Sequence, residues 1–404
     1  MMTEEAPMVF GGVDTHRDTH VAAVVDERGK ILDAASFDAT AAGYRALQQW
    51  LEGFGTLATV GVEGTDSYGA GLVRHLQRNG VSVVEVNRPN RQLRRRRGKS
   101  DPVDAEAAAR AVLNGEATAE PKCHDDVVES IRVLRVAFCS ARETRTRVAL
   151  QIRDLIVTAP AALRESLPAL TKERVIQCAG FRPKDPRDPL EATRLALKTL
   201  ARRYQGLTEE MAELTKILDE LTKEANPALR AAKGVGVDVA GILLVAAGSN
   251  CSRLRSESAF ASMCGVAPIP ASSGLTVRHR LNRSGNRQAN HALWRVAMIR
   301  MTTDEETKTY LARRTAEGKT KREVTRCLKR HIAREIFSLL QNPAHEEVGP
   351  ELRAARTAAH LSLQAVSHDL QVGPIKVSRI ERGLDHDEEF IERYRAWLAS
   401  RTAA

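Results

Sequence analysis

The chain has 404 residues, 43% of them hydrophobic and 4% aromatic, with a formal net charge of +10. That length supports two or three domains with packed cores, and the basic excess favours an anionic partner, nucleic acid or a membrane surface. No apolar run approaches the roughly 20 residues of a membrane span. The acidic start at Glu4 and Glu5 does not read as a signal peptide, and scattered cysteines without a C-x-x-C pair fit a reducing cytoplasm better than a disulfide framework or zinc site.

Residues 9–14, 21–25 and 31–37 are apolar, β-branched runs, with Glu27-Arg28-Gly29-Lys30 as a hairpin turn between the last two. Residues 40–53 place Tyr44, Leu47, Trp50 and Leu51 at helical spacing. A strand over 57–62, a helix over 68–79 and a strand over 81–86 follow. Three antiparallel strands followed by alternating helix and strand predict an α/β domain with a mixed sheet, RNase H-like in order, over residues 8–125.

Residues 126–226 predict a coiled-coil region. Ile131, Leu134, Phe138, Ala141, Val148, Ile152 and Leu155 form one seam, with Arg145 as its polar break, and Leu207, Met211, Leu214, Leu218, Leu221 and Ala225 form a second. The two seams can pair within one chain as an antiparallel hairpin, or with a second subunit. Residues 227–340 form a further, mostly helical unit, in which Gly234 and Gly236 lie in a turn able to present backbone N–H groups to a phosphate. After a linker over 341–350, residues 349–404 predict a helix-turn-helix module: a first helix from Leu363, a turn at Gln371-Val372-Gly373, and a second helix from Pro374.

Four carboxylates carry the chemistry. Asp14 and Glu63 end apolar strands, and Asp101 and Asp104 open an alanine-rich helix, three residues apart and therefore on one face. Asp101 before Pro102 reads as an N-cap followed by proline at the first helical position. Several carboxylates in one place suit Mg2+, two ions of which clamp the attacking and leaving oxygens of a phosphodiester displacement. Arg91, Arg94, Arg95, Arg96, Arg97 and Lys99 just before this helix, and Arg278, Arg280, Arg283, Asn286 and Arg287 later on, read as backbone contacts to nucleic acid. With few aromatic residues, base stacking is not expected to dominate. In the C-terminal module, Lys376, Ser378 and Arg379 are placed to meet a major groove.

The strings Gly12-Val13-Asp14, Val62-Glu63-Gly64-Thr65 and Lys99-Ser100-Asp101-Pro102-Val103-Asp104-Ala105 resemble the DEDD insertion-sequence transposases, the "IS one-ten" family related to the Piv DNA invertases. Phe260-Ala261-Ser262-Met263-Cys264-Gly265-Val266-Ala267-Pro268, Ala271-Ser272-Ser273-Gly274 and Arg283-Ser284-Gly285-Asn286-Arg287-Gln288 are similar to that family's transposase domain. The resemblance implies a RuvC-like N-terminal domain binding Mg2+ through its four acids. It also implies a serine nucleophile that becomes joined to DNA: Ser273, before Gly274, with Ser272 as the alternative. It implies homo-oligomers with composite active sites on double-stranded DNA, guided by a structured bridge RNA, in the bacterial cytoplasm at the nucleoid. The C-terminal helix-turn-helix extends beyond the family's usual length. Two other functions compete: a RuvC-like junction nuclease using metal-activated water, and a non-enzymatic helix-turn-helix regulator.

Overall fold

The structure, a computed structural model, describes residues 6–86, 100–123, 126–169, 171–271, 279–342, 348–381 and 387–402. Arg91, Arg94, Arg95, Arg96, Arg97, Lys99, Ser272, Ser273 and Arg278 lie outside the described residues. The chain divides into two compact units: residues 1–126 with 247–255, and residues 127–246 with 256–404.

The first unit is built on a five-stranded sheet of order β3-β2-β1-β4-β5. Its strands are β1 (Met8–Thr15), β2 (Thr19–Asp26), β3 (Ile31–Asp38), β4 (Thr56–Glu63) and β5 (Val83–Val86). β1–β2 and β2–β3 pair antiparallel, while β4 runs parallel to both β1 and β5. The period-two alternation of strands sorts side chains between the two faces. Val9, Val13, Ala22, Val24, Val60 and Val62 pack beneath α1 (Ala41–Glu52) and α2 (Ala70–Arg78), against Leu47, Leu51, Leu72, Val73 and Leu76. The other face receives α3 (Asp101–Leu113), whose Ala105 packs on Val21 and Ala23.

α3 lies close to the sheet because Gly12 and Gly61 beneath it carry no side chains. A Cβ on Gly12 would fall 2.1 Å from the Ala109 nitrogen and 2.2 Å from the Ala105 carbonyl oxygen. One on Gly61 would meet Val112 at 2.6 Å and the Ala108 carbonyl at 3.0 Å. Alanines on the helix and glycines on β1 and β4 thus form one interlocked surface. α3 begins at Asp101, with Ser100 as the N-cap and Pro102 in the first turn, so Asp101 is the first helical residue and not the cap. The segment after residue 247 completes this unit: Asn250 accepts from the Cys123 amide at 3.1 Å and donates to the Pro121 carbonyl at 2.9 Å.

The second unit begins with α4 (Val127–Thr158) and includes α5 (Ala161–Glu165), α6 (Thr171–Ala179) and α7 (Pro189–Ala225). α4 and α7 pair within the chain: Val148, Ile152 and Ile156 share a core with Leu197 and Ala201, closed by Leu163, Val175 and Cys178 from the short helices. The polar break in the seam has a partner, since the Arg145 guanidinium lies over the Tyr204 ring at 5.7 Å. Next come α8 (Pro227–Ala231), α9 (Val237–Ala247) and α10 (Glu257–Met263). A two-residue antiparallel pair follows, β6 (Ile269–Pro270) with β7 (His279–Arg280). Then come α11 (Arg287–Thr303), α12 (Glu305–Ala316) and α13 (Lys321–Gln341). α13 starts with a reciprocal capping box between Thr320 and Glu323.

Four helices end the chain: α14 (Val348–Ala358), α15 (Leu363–Asp369), α16 (Pro374–Glu381) and α17 (Glu388–Thr402). Leu352, Val366, Leu370, Val377, Ile380, Phe390, Ile391, Tyr394 and Leu398 form a core of their own. Among the described residues no helix is long and apolar enough to cross a membrane.

Candidate functional site

The fold brings the ends of its two central strands beside the start of α3. Asp14 is the seventh residue of β1, buried, and two residues on from Gly12, so it faces α3. β1 and β4 are in register at Val13 and Val62, which sets Glu63 in the neighbouring position to Asp14. The Thr15 hydroxyl donates to the Glu63 carbonyl at 2.7 Å and ties the two strand ends together. Gly64 then turns the chain at φ +71°, a left-handed conformation that favours glycine. On α3, Asp101 is half exposed at the first position, where the helix dipole favours a carboxylate, and Asp104 is buried one turn further in.

Asp14 and Asp101 come together, but the third member of their group is a histidine. Oxygen and nitrogen atoms of Asp14, His16 and Asp101 all lie within 4.8 Å of one another. The His16 Nε2 is 3.3 Å from Asp14 Oδ2 and 3.4 Å from Asp101 Oδ2. Among the described residues, Glu63 and Asp104 do not join this or another such group. His16 was not expected from the sequence, although its position two residues after Asp14 puts it on the same side of an extended chain. Among the described residues the His16 Nε2 is shielded from solvent and makes no hydrogen bond, its polar neighbours being the Asp14 and Asp101 carboxylates. Two carboxylates and an imidazole form a donor set that fits a divalent cation.

A further acid of this unit, Glu85, lies in a perturbed environment. Burial raises the Glu85 carboxyl, as does Asp66, while Lys122, Arg253 and Thr65 oppose the rise. Glu85 sits on β5, where its side chain interrupts an otherwise apolar strand.

In the second unit, Gly234 takes φ +85° in the turn between α8 and α9, while Gly236 faces open space. The turn is held from behind. Arg230 donates to the Val235 carbonyl at 2.7 Å, and Arg300 donates to the Lys233 carbonyl at 2.8 Å. Just beyond it, Asp238 receives Arg135 and Arg295. Burial alone would raise the Asp238 carboxyl, but these two guanidinium groups outweigh it and hold it below the usual carboxylate range.

Of the predicted basic contacts, Arg280, Arg283 and Arg287 are exposed. Asn286 acts locally, because its side-chain oxygen accepts from the Ala289 amide at 3.0 Å and caps α11. In the C-terminal helices, Lys376 is drawn to Asp387 and lies over the Phe390 ring at 5.2 Å. Ile375, 76% exposed, and the exposed Arg379 are the outward groups at that helix start, with Ser378 half-buried beside them.

Fold and site together define an α/β protein with a carboxylate–imidazole centre at the ends of its central strands, followed by a helical, arginine-rich unit. The family models are more specific. A DEDD-type IS110 transposase model matches residues 11–159, and a model described as "Transposase IS116/IS110/IS902 family" matches residues 226–312. The chain belongs to this family of insertion-sequence transposases. It is 34% identical over 134 residues to the "Insertion element IS110 uncharacterized 43.6 kDa protein" of Streptomyces coelicolor, covering 32% of this chain and 33% of the relative. It is 25% identical over 162 residues to the "Insertion element IS900 uncharacterized 42 kDa protein" of Mycobacterium paratuberculosis, covering 39% of this chain and 40% of the relative. The chain therefore spans between a third and two fifths of the length of these relatives.

Proposed function

We propose that the protein is the transposase of an insertion sequence, an enzyme that cuts and rejoins DNA strands with its carboxylates and a serine. One observation carries this reading: Asp14 and Asp101, from a strand and a helix far apart in sequence, converge in a chain that matches both transposase models in order. The strand order, with its antiparallel start and parallel continuation, supports an RNase H-like, RuvC-like domain over residues 8–125. The helical regions over 126–226, 227–340 and 349–404 are then the coiled coil, the serine-bearing transposase domain and a helix-turn-helix.

The residues to hold a divalent cation, Mg2+ in the simplest case, are Asp14 and Asp101, with Glu63 and Asp104 beside them. A bound cation supplies Lewis-acid charge to the phosphate oxygens. The Ser273 hydroxyl, or that of Ser272, forms the new bond to phosphorus. The bond from phosphorus to a DNA oxygen breaks, and that oxygen leaves with the electron pair and takes up a proton. A serine hydroxyl is a weak nucleophile and needs a base to take its proton, a role open to the carboxylates of the same or a second subunit. Arg280, Arg283 and Arg287, the turn at Gly234 and Gly236, and the tract at Arg91, Arg94, Arg95, Arg96, Arg97 and Lys99 hold the DNA backbone. Sequence choice by a bridge RNA, and assembly into composite sites, complete the proposal.

The test is strand cleavage on DNA carrying the element's ends, with covalent protein–DNA adducts trapped on nicked substrate. Asp14→Asn is expected to abolish cleavage while leaving DNA binding within about twofold, and Ser273→Ala to abolish the adduct. Cleavage by Asp14→Asn at the wild-type rate overturns the acid site. Cleavage without any adduct, in wild type and in both serine variants, assigns the protein to water-using nucleases.

A further inference from the structure

The acid site holds a group of another chemical kind. His16 stands at the first corner of the β1–β2 hairpin, where its amide donates to the Thr19 carbonyl at 3.0 Å and fixes the backbone. Its Nε2 bridges the end of β1 to the start of α3, at 3.3 Å from Asp14 Oδ2 and 3.4 Å from Asp101 Oδ2. Among the described residues that nitrogen is shielded from solvent yet makes no hydrogen bond. These separations place the imidazole nitrogen and both carboxylates close enough together that all three would be able to donate to one cation. The nearby His20 also has a buried Nε2 with no hydrogen bond among the described residues, but it joins no group of metal-ligating side chains there: its ring stacks on Tyr44 with centroids 5.6 Å apart, and its Nδ1 lies 3.1 Å from the Thr19 carbonyl oxygen.

We propose that His16 is a nitrogen ligand of the cation held by Asp14 and Asp101, and that it biases this site toward Mn2+ over Mg2+. The inference rests on the reading that these acids hold a metal. Mg2+ favours an all-oxygen octahedral shell and parts with its water reluctantly. A first-row transition cation accepts imidazole nitrogen as well as carboxylate oxygen. Two carboxylates already balance the charge of a divalent ion, so a neutral imidazole adds a donor without adding charge. The mixed set gives Mn2+ three good ligands and gives Mg2+ two. The His16 side chain is 44% exposed, so its replacement leaves the core intact.

The full-length protein titrated with Mn2+ alone, followed by pulsed electron paramagnetic resonance, is expected to show modulation from a directly bound nitrogen. His16→Ala, checked for an unchanged melting temperature, is expected to lose that modulation and weaken Mn2+ binding about tenfold, the scale on which such ligand shells act. Mg2+ binding, measured by competition, is expected to change less than about twofold in the same variant, because it draws little from the imidazole. His16→Gln, with an oxygen donor, is expected to bind both ions without the nitrogen signal. Mn2+ bound with no nitrogen modulation in the wild type, or equal losses for both metals in His16→Ala, overturns the role of His16 and leaves the acid site standing. Mn2+ binding that is absent, or unaffected by Asp14→Asn, overturns both.

Discussion

The sheet that carries Asp14 and the helical module at the C-terminus solve the same problem, fixing one helix against its neighbours, by opposite means. α3 is placed by missing atoms: Gly12 lets its backbone approach β1 until Ala105 and Ala109 touch the strand. α16 is placed by buried charge. Arg356 on α14 donates to both oxygens of Glu381, at 2.6 and 2.9 Å, and Tyr394 on α17 donates to the same carboxylate at 2.7 Å. Close approach of backbones is cheap to specify and unforgiving of any added side chain. A buried ion pair tolerates changes in shape but not the loss of one partner.

That contrast is best broken at Glu381. Glu381→Ala leaves Arg356 and the Tyr394 hydroxyl buried without their acceptor, with an expected loss of about 3–5 kcal/mol. Denaturant unfolding followed through Trp397, which lies against Tyr394, measures it. Arg356→Met combined with Glu381→Leu is expected to recover most of that loss, since an apolar pair of similar volume often does as well as a buried ion pair. A double variant as unstable as the single one would show that the charge pair has no apolar substitute here.

Gly12→Ala comes next, with an expected cost of about 1–3 kcal/mol from overpacking. Its functional effect is larger than that figure, because α3 must move outward and take Asp101 away from Asp14. Loss of strand cleavage with a folded circular-dichroism spectrum would sharpen the comparison, and unchanged activity would refute it.

The smallest effect belongs to a half-buried cap between these extremes. Asp304 accepts from the Thr307 amide and hydroxyl at 3.0 and 2.6 Å and pairs with Lys233 at 2.8 Å. Burial pushes its carboxyl up, but these partners outweigh it and hold it at about 2, below the ordinary 3.8. A depressed folded value means that the unfolded chain binds the extra proton. The stabilisation is therefore complete above about pH 4 and lost as pH falls through about 2. Asp304→Ala is expected to cost about 1 kcal/mol at neutral pH and almost nothing at pH 2, read as a change in melting temperature across that range.

Much of the first unit was legible because period and composition agree there. The alternation of Val21, Ala22, Ala23 and Val24 between two faces, and the turn at Glu27-Arg28-Gly29-Lys30, are local signals that packing did not override. The pairing of α4 with α7 was legible as seams but not as a choice of partner, which depends on the short helices that close the core through Leu163 and Val175. The cap of α3 was misplaced by one residue, since Ser100 and Asp101 are both good capping types. At the candidate site, the sequence singles out Asp14 and Asp101 by type and position, and the fold brings them together with His16, which the sequence does not single out. A lone histidine in a turn carries no signal until a helix from residue 101 onward arrives opposite it. Lys376 was likewise expected to face outward, and only the folded module shows Asp387 and Phe390 waiting for it.

The segment 247–255 belongs with residues 1–126, and this bears on how the protein is made. On the ribosome, the strands and α3 emerge first, but Asn250, which bonds the chain at Pro121 and Cys123, emerges only after some 120 further residues have been added. At about 5–20 residues per second, that is a delay of roughly 6–25 seconds. During it, the nascent acid-bearing unit waits for a piece of itself, so full assembly of the unit is timed by translation of the helices in between.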